Sequence, residues 1–345
     1  MRNSPVGGKA LPVTRESYLI QILRSAWNAL PPSWRNSPAG RLLRACIHLP
    51  RTIREHPSFP GNASRISIPH LEIHITHKCN LTCEGCLHFT NHRHSGTIPL
   101  TDIKKSMALW NKRLLPKRFA ILGGEPCLHR DLVDIVYMTR EMWPHSRTEM
   151  EVVTNGLLLH LHPGLPQALS DTNTRLSISI HSDGSISPKY QAKIRKALDL
   201  ADQWQKEYGI ALNIDDSLHE WTRGYTGFGG EILPFEDNNP QNSWDNCITG
   251  QQCFQLFEDH LWKCAPLAYL QLQDRKYALS EKWQPYLQYR PLSPGCSDKE
   301  IVEFFNRGAE PVCGMCPNNP QKFIKMNPLL PVRSYKTKTL KAAPP

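Results

Sequence analysis

Three cysteines, Cys79, Cys83 and Cys86, stand in the spacing C-x3-C-x2-C within the run His77-Lys78-Cys79-Asn80-Leu81-Thr82-Cys83-Glu84-Gly85-Cys86. Thiolates are the usual ligands of iron–sulfur clusters, and three so close together suit three irons of a cubane. Zinc is the competing occupant, with His77, His88, His92 or His94 as its fourth donor. On the triplet alone both readings stand.

A second constellation lies beyond residue 240, where Cys247, Cys253, Cys264, Cys296, Cys313 and Cys316 are gathered. The stretch from Cys253 to Cys264 reads as a β-hairpin turning near Glu258-Asp259, which sets the two cysteines opposite each other. Cys313-Gly314-Met315-Cys316 adds a C-x2-C knuckle, so Cys253, Cys264, Cys313 and Cys316 offer four ligands. Spacing also permits Cys247 to ligate, and Cys296 is a spare. These six thiols exceed the need of one cubane and fall short of two fully Cys-ligated ones, which favours one cluster over two. A zinc knuckle is the alternative. Cys46 and Cys127 have no partners in sequence and read as buried small apolar residues.

Other polar groups fall just after apolar runs. Gly123-Gly124-Glu125-Pro126 joins two glycines, which let backbone approach a ligand, to a carboxylate. Thr154, Asn155 and Gly156 follow a third apolar run, and Ser177, Ser179 and His181 alternate, so they share one face of a strand. His181, Asp183, Asp215 and Asp216 are candidate proton-handling groups, of which His181, Asp215 and Asp216 are the catalytic candidates. Arg223 and Tyr225 are further candidate substrate contacts.

The elements that must position these residues alternate in type. Strand patterns cover Leu71–Thr76, Arg118–Leu122, Met150–Thr154, Leu176–Ile180 and Ile210–Ile214, and helical patterns cover Leu100–Leu114, Asp131–Trp143 and Pro188–Glu207. Such alternation builds a parallel sheet with helices outside it, and ligands bind at the carboxyl ends of the strands. The expected architecture is α/β, a partial (β/α)6 barrel with a helical N-terminal extension and a small Cys-rich C-terminal domain. The expected boundaries are a basic helical extension at 1–65, a catalytic core at 66–240, a cysteine-rich domain at 241–330 and a basic, disordered tail at 331–345.

The triplet after the first strand and the Gly-Gly-Glu-Pro turn after the second together resemble the radical S-adenosylmethionine (SAM) superfamily, over roughly residues 68–216. The resemblance implies a [4Fe-4S] cluster on Cys79, Cys83 and Cys86, with SAM chelating its open iron and being split to a radical that takes a hydrogen atom from substrate. It also implies that Gly123, Gly124 and Glu125 hold the SAM amino group, with Thr154, Asn155, Ser177 and Ser179 completing the cradle. The residue before the third cysteine is commonly aromatic in that family and contacts the adenine. Here it is Gly85, which leaves His88 or Phe89 as substitutes. The later cysteines look like the auxiliary-cluster appendage of the SPASM/twitch branch, although Asp259 or His260 stands where that branch usually has glycine.

These readings lead to an oxidoreductase that oxidises or epimerises a small polar molecule such as a sugar or aminocyclitol, served by an electron donor such as flavodoxin or ferredoxin. A SPASM-type peptide-modifying enzyme is the alternative, while RNA modification and a zinc-stabilised binding protein stand lower.

Composition sets the bounds. The chain has 345 residues with 40% hydrophobic content, outside the regime of disordered proteins. Residues 1–60 hold nine Lys/Arg against Glu16 and Glu55, and the tail adds Arg333, Lys336, Lys338 and Lys341, so the body between them is close to neutral. Amphipathic patterns at Thr14–Leu30 and Arg41–His48 leave two readings of that basic end: packing on its own domain, or contact with a membrane surface or partner. Nucleic acid is disfavoured because no aromatic residues interleave the basic ones. No apolar run approaches the ~18 residues of a membrane span, and no secretory pattern opens the chain. The expectation is a cytoplasmic protein, with peripheral contact at the inner face of the membrane left open.

Overall fold

Five apolar runs become the parallel strands β1 (Ile66–His74), β2 (Leu114–Leu122), β3 (Glu149–Thr154), β4 (Thr174–Ser179) and β5 (Leu212–Asp215). They belong to a computed structural model that describes residues 65–330 apart from 145–146, 219–220, 238, 248, 250 and 324–326. The N-terminal helical patterns, Cys46 and the basic tail lie outside the described residues. Those described all fall within one compact unit, Ile53–Pro345.

The helices between the strands begin and end where the sequence supplies caps. Helix α1 (Leu100–Trp110) stops short of the expected Leu114, because Leu114 and Leu115 open β2. It is followed by α2 (Leu132–Met142), the short α3 (Leu165–Asp171) and α4 (Pro188–Tyr208). In α4 the Ser187 hydroxyl accepts from the Tyr190 amide, Pro188 takes the first turn, and Gly209 ends the helix at φ 68°. Its buried stripe, Tyr190, Ile194, Ala197, Ala201 and Trp204, recurs at helical spacing and faces the sheet. Among the described residues no helix is long and apolar enough to cross a membrane.

After β5 come α5 (Pro240–Asp245), β6 (Gln255–Phe257), β7 (His260–Trp262), α6 (Ala265–Tyr277), α7 (Gln284–Leu287) and α8 (Asp298–Asn306). The sheet is open, in the order β5-β4-β3-β2-β1-β6-β7. A sixth parallel strand is therefore present, but it adds beside β1 and not after β5, and only β7 is antiparallel. The hairpin expected in a separate appendage thus extends the main sheet. Its Phe254, Leu256 and Leu261 join the same core as β1 to β4. A second core surrounds α6, with Phe89, Tyr225, Trp262, Tyr269 and Trp283.

The sheet's two faces differ. On β1, Leu71, Ile73 and Ile75 enter the apolar core, so His70, Glu72 and His74 point to the opposite side. That side carries polar pairs: the half-exposed Arg118 bonds Glu151 at 2.7 Å, and, buried, Ser177 donates to Glu151 at 2.9 Å and Tyr269 donates to Gln255 at 2.9 Å.

Candidate active site

The cysteine loop leaves β1 and immediately meets the turn after β2. Gly124 N–H donates to Thr76 O and Glu125 N–H to Lys78 O, both at 2.8 Å, which continues the β1–β2 ladder into the loop. A Cβ on Gly123 would sit 2.5 Å from Thr76 O, and one on Gly124 would sit 2.2 Å from Lys78 O. Both glycines are therefore demanded by the approach of the loop that carries Cys79. From outside, Thr82 donates to Leu330 O at 2.6 Å, Trp221 Nε1 donates to Glu84 O at 2.8 Å, and Arg223 pairs with Glu84 at 2.5 Å. Tyr225 donates to Cys86 O at 3.2 Å, so Arg223 and Tyr225 brace the loop.

Glu125 is wholly buried, and its carboxylate turns away from the cavity. Oε1 accepts from Thr154 Oγ1 at 2.6 Å and Cys127 N at 3.0 Å, and Oε2 accepts from Asn155 N at 2.8 Å. The carboxylate is thus spent on fixing the end of β3, which leaves the backbone of Gly123, Gly124 and Glu125 as the part of the turn that can face an amino group. Burial raises its pKa, against the pull of these three bonds.

Cys79, Cys83 and Cys86 line one wall of a cavity of about 160 Å³ at the carboxyl ends of the strands. The other walls come from Gly123, Gly124, Thr154, Asn155, Ser179 and His181, with His88, Asn91, Ser217 and Trp221 at the side. Ser177 does not reach it. It lies one step lower on β4, bonded to Glu151, because the strand's end and not its middle forms the wall. Asp215 and Asp216 do not line it either: both are exposed, and Asp216 Oδ1 accepts the Leu218 amide at 3.1 Å to shape the turn. Their neighbour Ser217 lines the cavity instead. Asp183 likewise closes a turn, accepting from Ser185 and Ile186 amides.

Aromatic residues from other segments stand beside Gly85. Gly85 has φ 66°, and a Cβ there would lie 3.5 Å from Trp221 Nε1. Trp221 thus stands beside the empty position, facing His181 edge-on with ring centroids 6.0 Å apart. Of the two substitutes read from sequence, His88 lines the cavity, whereas Phe89 is buried in the second core, stacked on Tyr225 at 5.0 Å. Nothing in the sequence alone joined Trp221 to Gly85, since they are distant in the chain.

The electrostatics suit a cationic occupant. Burial raises the Cys79 pKa well above the ordinary thiol value, and the charges of Cys83, Glu125 and Cys86 add to it. Three neighbouring thiolates repel one another unless metal neutralises them, so this donor set fits iron. Burial lowers His88 to about 4 and leaves it neutral, able to donate and accept.

Residues 73–205 match the model of the Radical SAM superfamily. This segment is a radical SAM domain. Its [4Fe-4S] cluster and SAM are the cofactors of that domain. Among curated relatives, the chain is similar to GTP 3',8-cyclase of Rhodopirellula baltica, 32% identical over 27% of this chain and 26% of that protein. It is also similar to the S-adenosylmethionine-dependent nucleotide dehydratase of Selenomonas ruminantium, 32% identical over 34% of this chain and 40% of that protein. The chain therefore spans less than half the length of these relatives. Among solved structures, Streptococcus suis SuiB bound to S-adenosylmethionine overlaps 59% of this chain and 44% of its own, at 16% identity and a TM-score of 0.35.

Beyond the radical SAM domain lie the other cysteines. Cys253 and Cys264 flank the β6–β7 hairpin, two residues before Gln255 and two after Trp262, which pair. Glu258 and Asp259 turn it at φ 50° and 65°, the left-handed conformation that glycine favours. Trp110 Nε1 donates to Asp259 O at 2.9 Å, and Arg275 pairs with Glu258 at 2.8 Å, which together hold the turn without glycine. Burial raises Cys264, Cys313 and Cys316, and in each case the Cys247 thiolate is among the charges that add to the shift. Cys253 is raised by burial, then by Glu72, and further by the Cys247 and Cys264 thiolates. These couplings link Cys247, Cys253, Cys264, Cys313 and Cys316. Cys296 stands apart beside Arg113.

Proposed function

We propose that this chain is a radical SAM enzyme that takes a hydrogen atom from a small, uncharged polar substrate, such as a sugar or cyclitol, in an oxidation or epimerisation. The observation that supports this is the cavity wall opposite the thiols. Among the described residues it offers, besides Asn155 and Ser179, which receive SAM, the neutral groups of Asn91, His181 and Ser217, and no Lys, Arg, Asp or Glu side chain. Neutral donors and acceptors suit hydroxyl groups, whereas a triphosphate calls for cations.

In this reading Cys79, Cys83 and Cys86 hold the first cluster, and Asn155, Ser179 and the backbone at Gly123 and Gly124 receive SAM. When bound, the reduced cluster supplies the electron that splits SAM and so the radical that attacks substrate. The chain's own residues do the rest. Glu125 fixes Thr154 and Asn155, Trp221 covers the loop, and His181 stands at the wall as the group that moves a proton. Cys253, Cys264, Cys313 and Cys316, with Cys247 beside them as a further thiol, hold an auxiliary cluster suited to accept an electron. A flavodoxin- or ferredoxin-type protein supplies the first.

A second reading is a nucleotide substrate. The nucleotide activities for which the curated relatives are named favour it, and Trp221 offers a surface on which a base could stack. The two are told apart by incubating the reconstituted enzyme with SAM and candidate substrates, and measuring 5′-deoxyadenosine. Stimulation by polyols and sugars but not by nucleoside triphosphates supports the first reading; the reverse pattern overturns it.

A further inference from the structure

One stretch of chain joins the two groups of cysteines. It leaves the C-x2-C knuckle at Cys316 and is described at 317–323 and 327–330. At its near end Met315 is buried in the second core, and Cys316 packs against that core. Ser243 on α5, 2% exposed, bonds Cys316 O at 2.8 Å and Asn318 Oδ1 at 3.1 Å. The Asn318 amide donates to Asp237 Oδ2 at 2.8 Å, and its carbonyl accepts from Asn246 Nδ2 at 2.7 Å.

The stretch then crosses to the loop that carries Cys79, Cys83 and Cys86. Lys322 forms a β-bridge with Thr222, and the Phe323 amide donates to Trp221 O at 3.0 Å. The Arg223 guanidinium lies over the Phe323 ring, 3.8 Å from its centroid, and Phe323 Cζ stands 3.3 Å from where a Cβ on Gly85 would be. At the far end the Thr82 amide donates to Pro328 O at 2.9 Å, and Thr82 Oγ1 donates to Pro328 O at 2.9 Å and Leu330 O at 2.6 Å. Leu329 packs against the first core. Trp221, which lines the cavity and bonds Glu84 O, is therefore held from behind by a segment that begins at the C-terminal knuckle. Between its ends Gln321 and Lys322 are exposed, so the segment has little apolar burial of its own and its position depends on its anchors.

We propose that this stretch is a strap through which metal bound at the C-terminal cysteines positions the first cysteine loop and Trp221 for SAM. Metal on Cys313 and Cys316 fixes the knuckle, the knuckle fixes Asn318, and the strap then holds Phe323 against Arg223 and Pro328 against Thr82. Thr82 and Phe323 are positioning residues, since neither lines the cavity. The inference rests on the reading of both cysteine groups as iron sites, and not on which substrate the cavity takes.

The test uses the full chain, anaerobic and iron-loaded, with SAM as the probe. Two readouts are followed: the change that SAM induces in the electron paramagnetic resonance signal of the reduced first cluster, and hydrogen exchange at residues 79–86 and 221–223. Thr82→Val keeps the side-chain shape and removes the hydroxyl. It should raise the SAM concentration needed for the signal change roughly tenfold, the scale for losing an outer partner of metal ligands, and speed exchange, with iron content unchanged. Thr82→Ser should restore both readouts. Cys313→Ser combined with Cys316→Ser should show the same loss at the first site. Should that variant fail to fold, Ser243→Ala, which loosens knuckle and strap while leaving every cysteine, carries the test. Thr82→Val indistinguishable from the unaltered protein, or Thr82→Ser without rescue, overturns the strap. Cysteine and Ser243 variants that leave both readouts unmoved overturn its coupling to the C-terminal metal. An iron count of about four in place of about eight in the unaltered protein fails the auxiliary-cluster reading and the coupling with it, whereas about eight irons with silent variants fails the strap alone.

Discussion

Thr154 Oγ1 donates to Glu125 Oε1 across 2.6 Å, so the turn after β2 and the end of β3 are locked together beneath the cavity. Both Glu125 oxygens face donors only. Glu125→Gln places an amide N–H against one of them. The expected result is a loss of about 1–3 kcal/mol in stability, read by anaerobic denaturation, together with weaker SAM binding. Unchanged stability would mean that the network is not needed.

Gly124→Ala probes the contact between the two loops. Its Cβ would meet Lys78 O at 2.2 Å, which no side-chain motion relieves. The backbone must shift, at a cost of about 1–3 kcal/mol, and Cys79 shifts with it. Iron bound at the first site should fall several-fold while the C-terminal iron stays. Equal loss at both sites would point to global unfolding.

His92 sets a pH dependence. Burial, then the charges of His94 and Lys276, hold it down to about 3 from an ordinary 6.5. As pH falls below 6.5 the unfolded chain takes the proton and the native one does not, so stability is lost, by up to about 1.4 kcal/mol per pH unit. The loss ends only near the native value. Urea midpoints at pH 7 and 5.5 should show this decline, and His92→Gln should make it shallower. An identical slope in the variant would show that His92 is already protonated or exposed.

Trp221 is expected to matter for SAM more than for folding. Trp221→Ala removes the bond to Glu84 and the aromatic wall beside Gly85. SAM affinity, measured by equilibrium binding to the iron-loaded protein, should drop roughly tenfold, the scale of an aromatic contact of about 1–1.5 kcal/mol. Trp221→Phe should recover part of it. Equal affinity in all three proteins would remove Trp221 from the site.

The strands and the triplet were legible because period-two patterns and local cysteine spacing are local signals. What the sequence hid is non-local. The partner of β6 is β1, far away in the chain, and no pattern in Gln255–Phe257 announces it. The side chains of Glu125 and Ser177 are polar groups near strand ends, as a cradle would need, yet protein atoms satisfy them first. Asp215 and Asp216 follow a strand as catalytic groups do, but they fall on the exposed side of their turn. Short α3 was missed because seven residues with a proline near the start give too small a window for periodicity.

The central claim is that Cys79, Cys83 and Cys86 carry the chemistry, and it is tested most directly by changing all three to Ala. The reconstituted triple variant should produce no 5′-deoxyadenosine from SAM under reducing conditions, while electron paramagnetic resonance still shows the C-terminal cluster. Production at the rate of the unaltered protein would contradict the account.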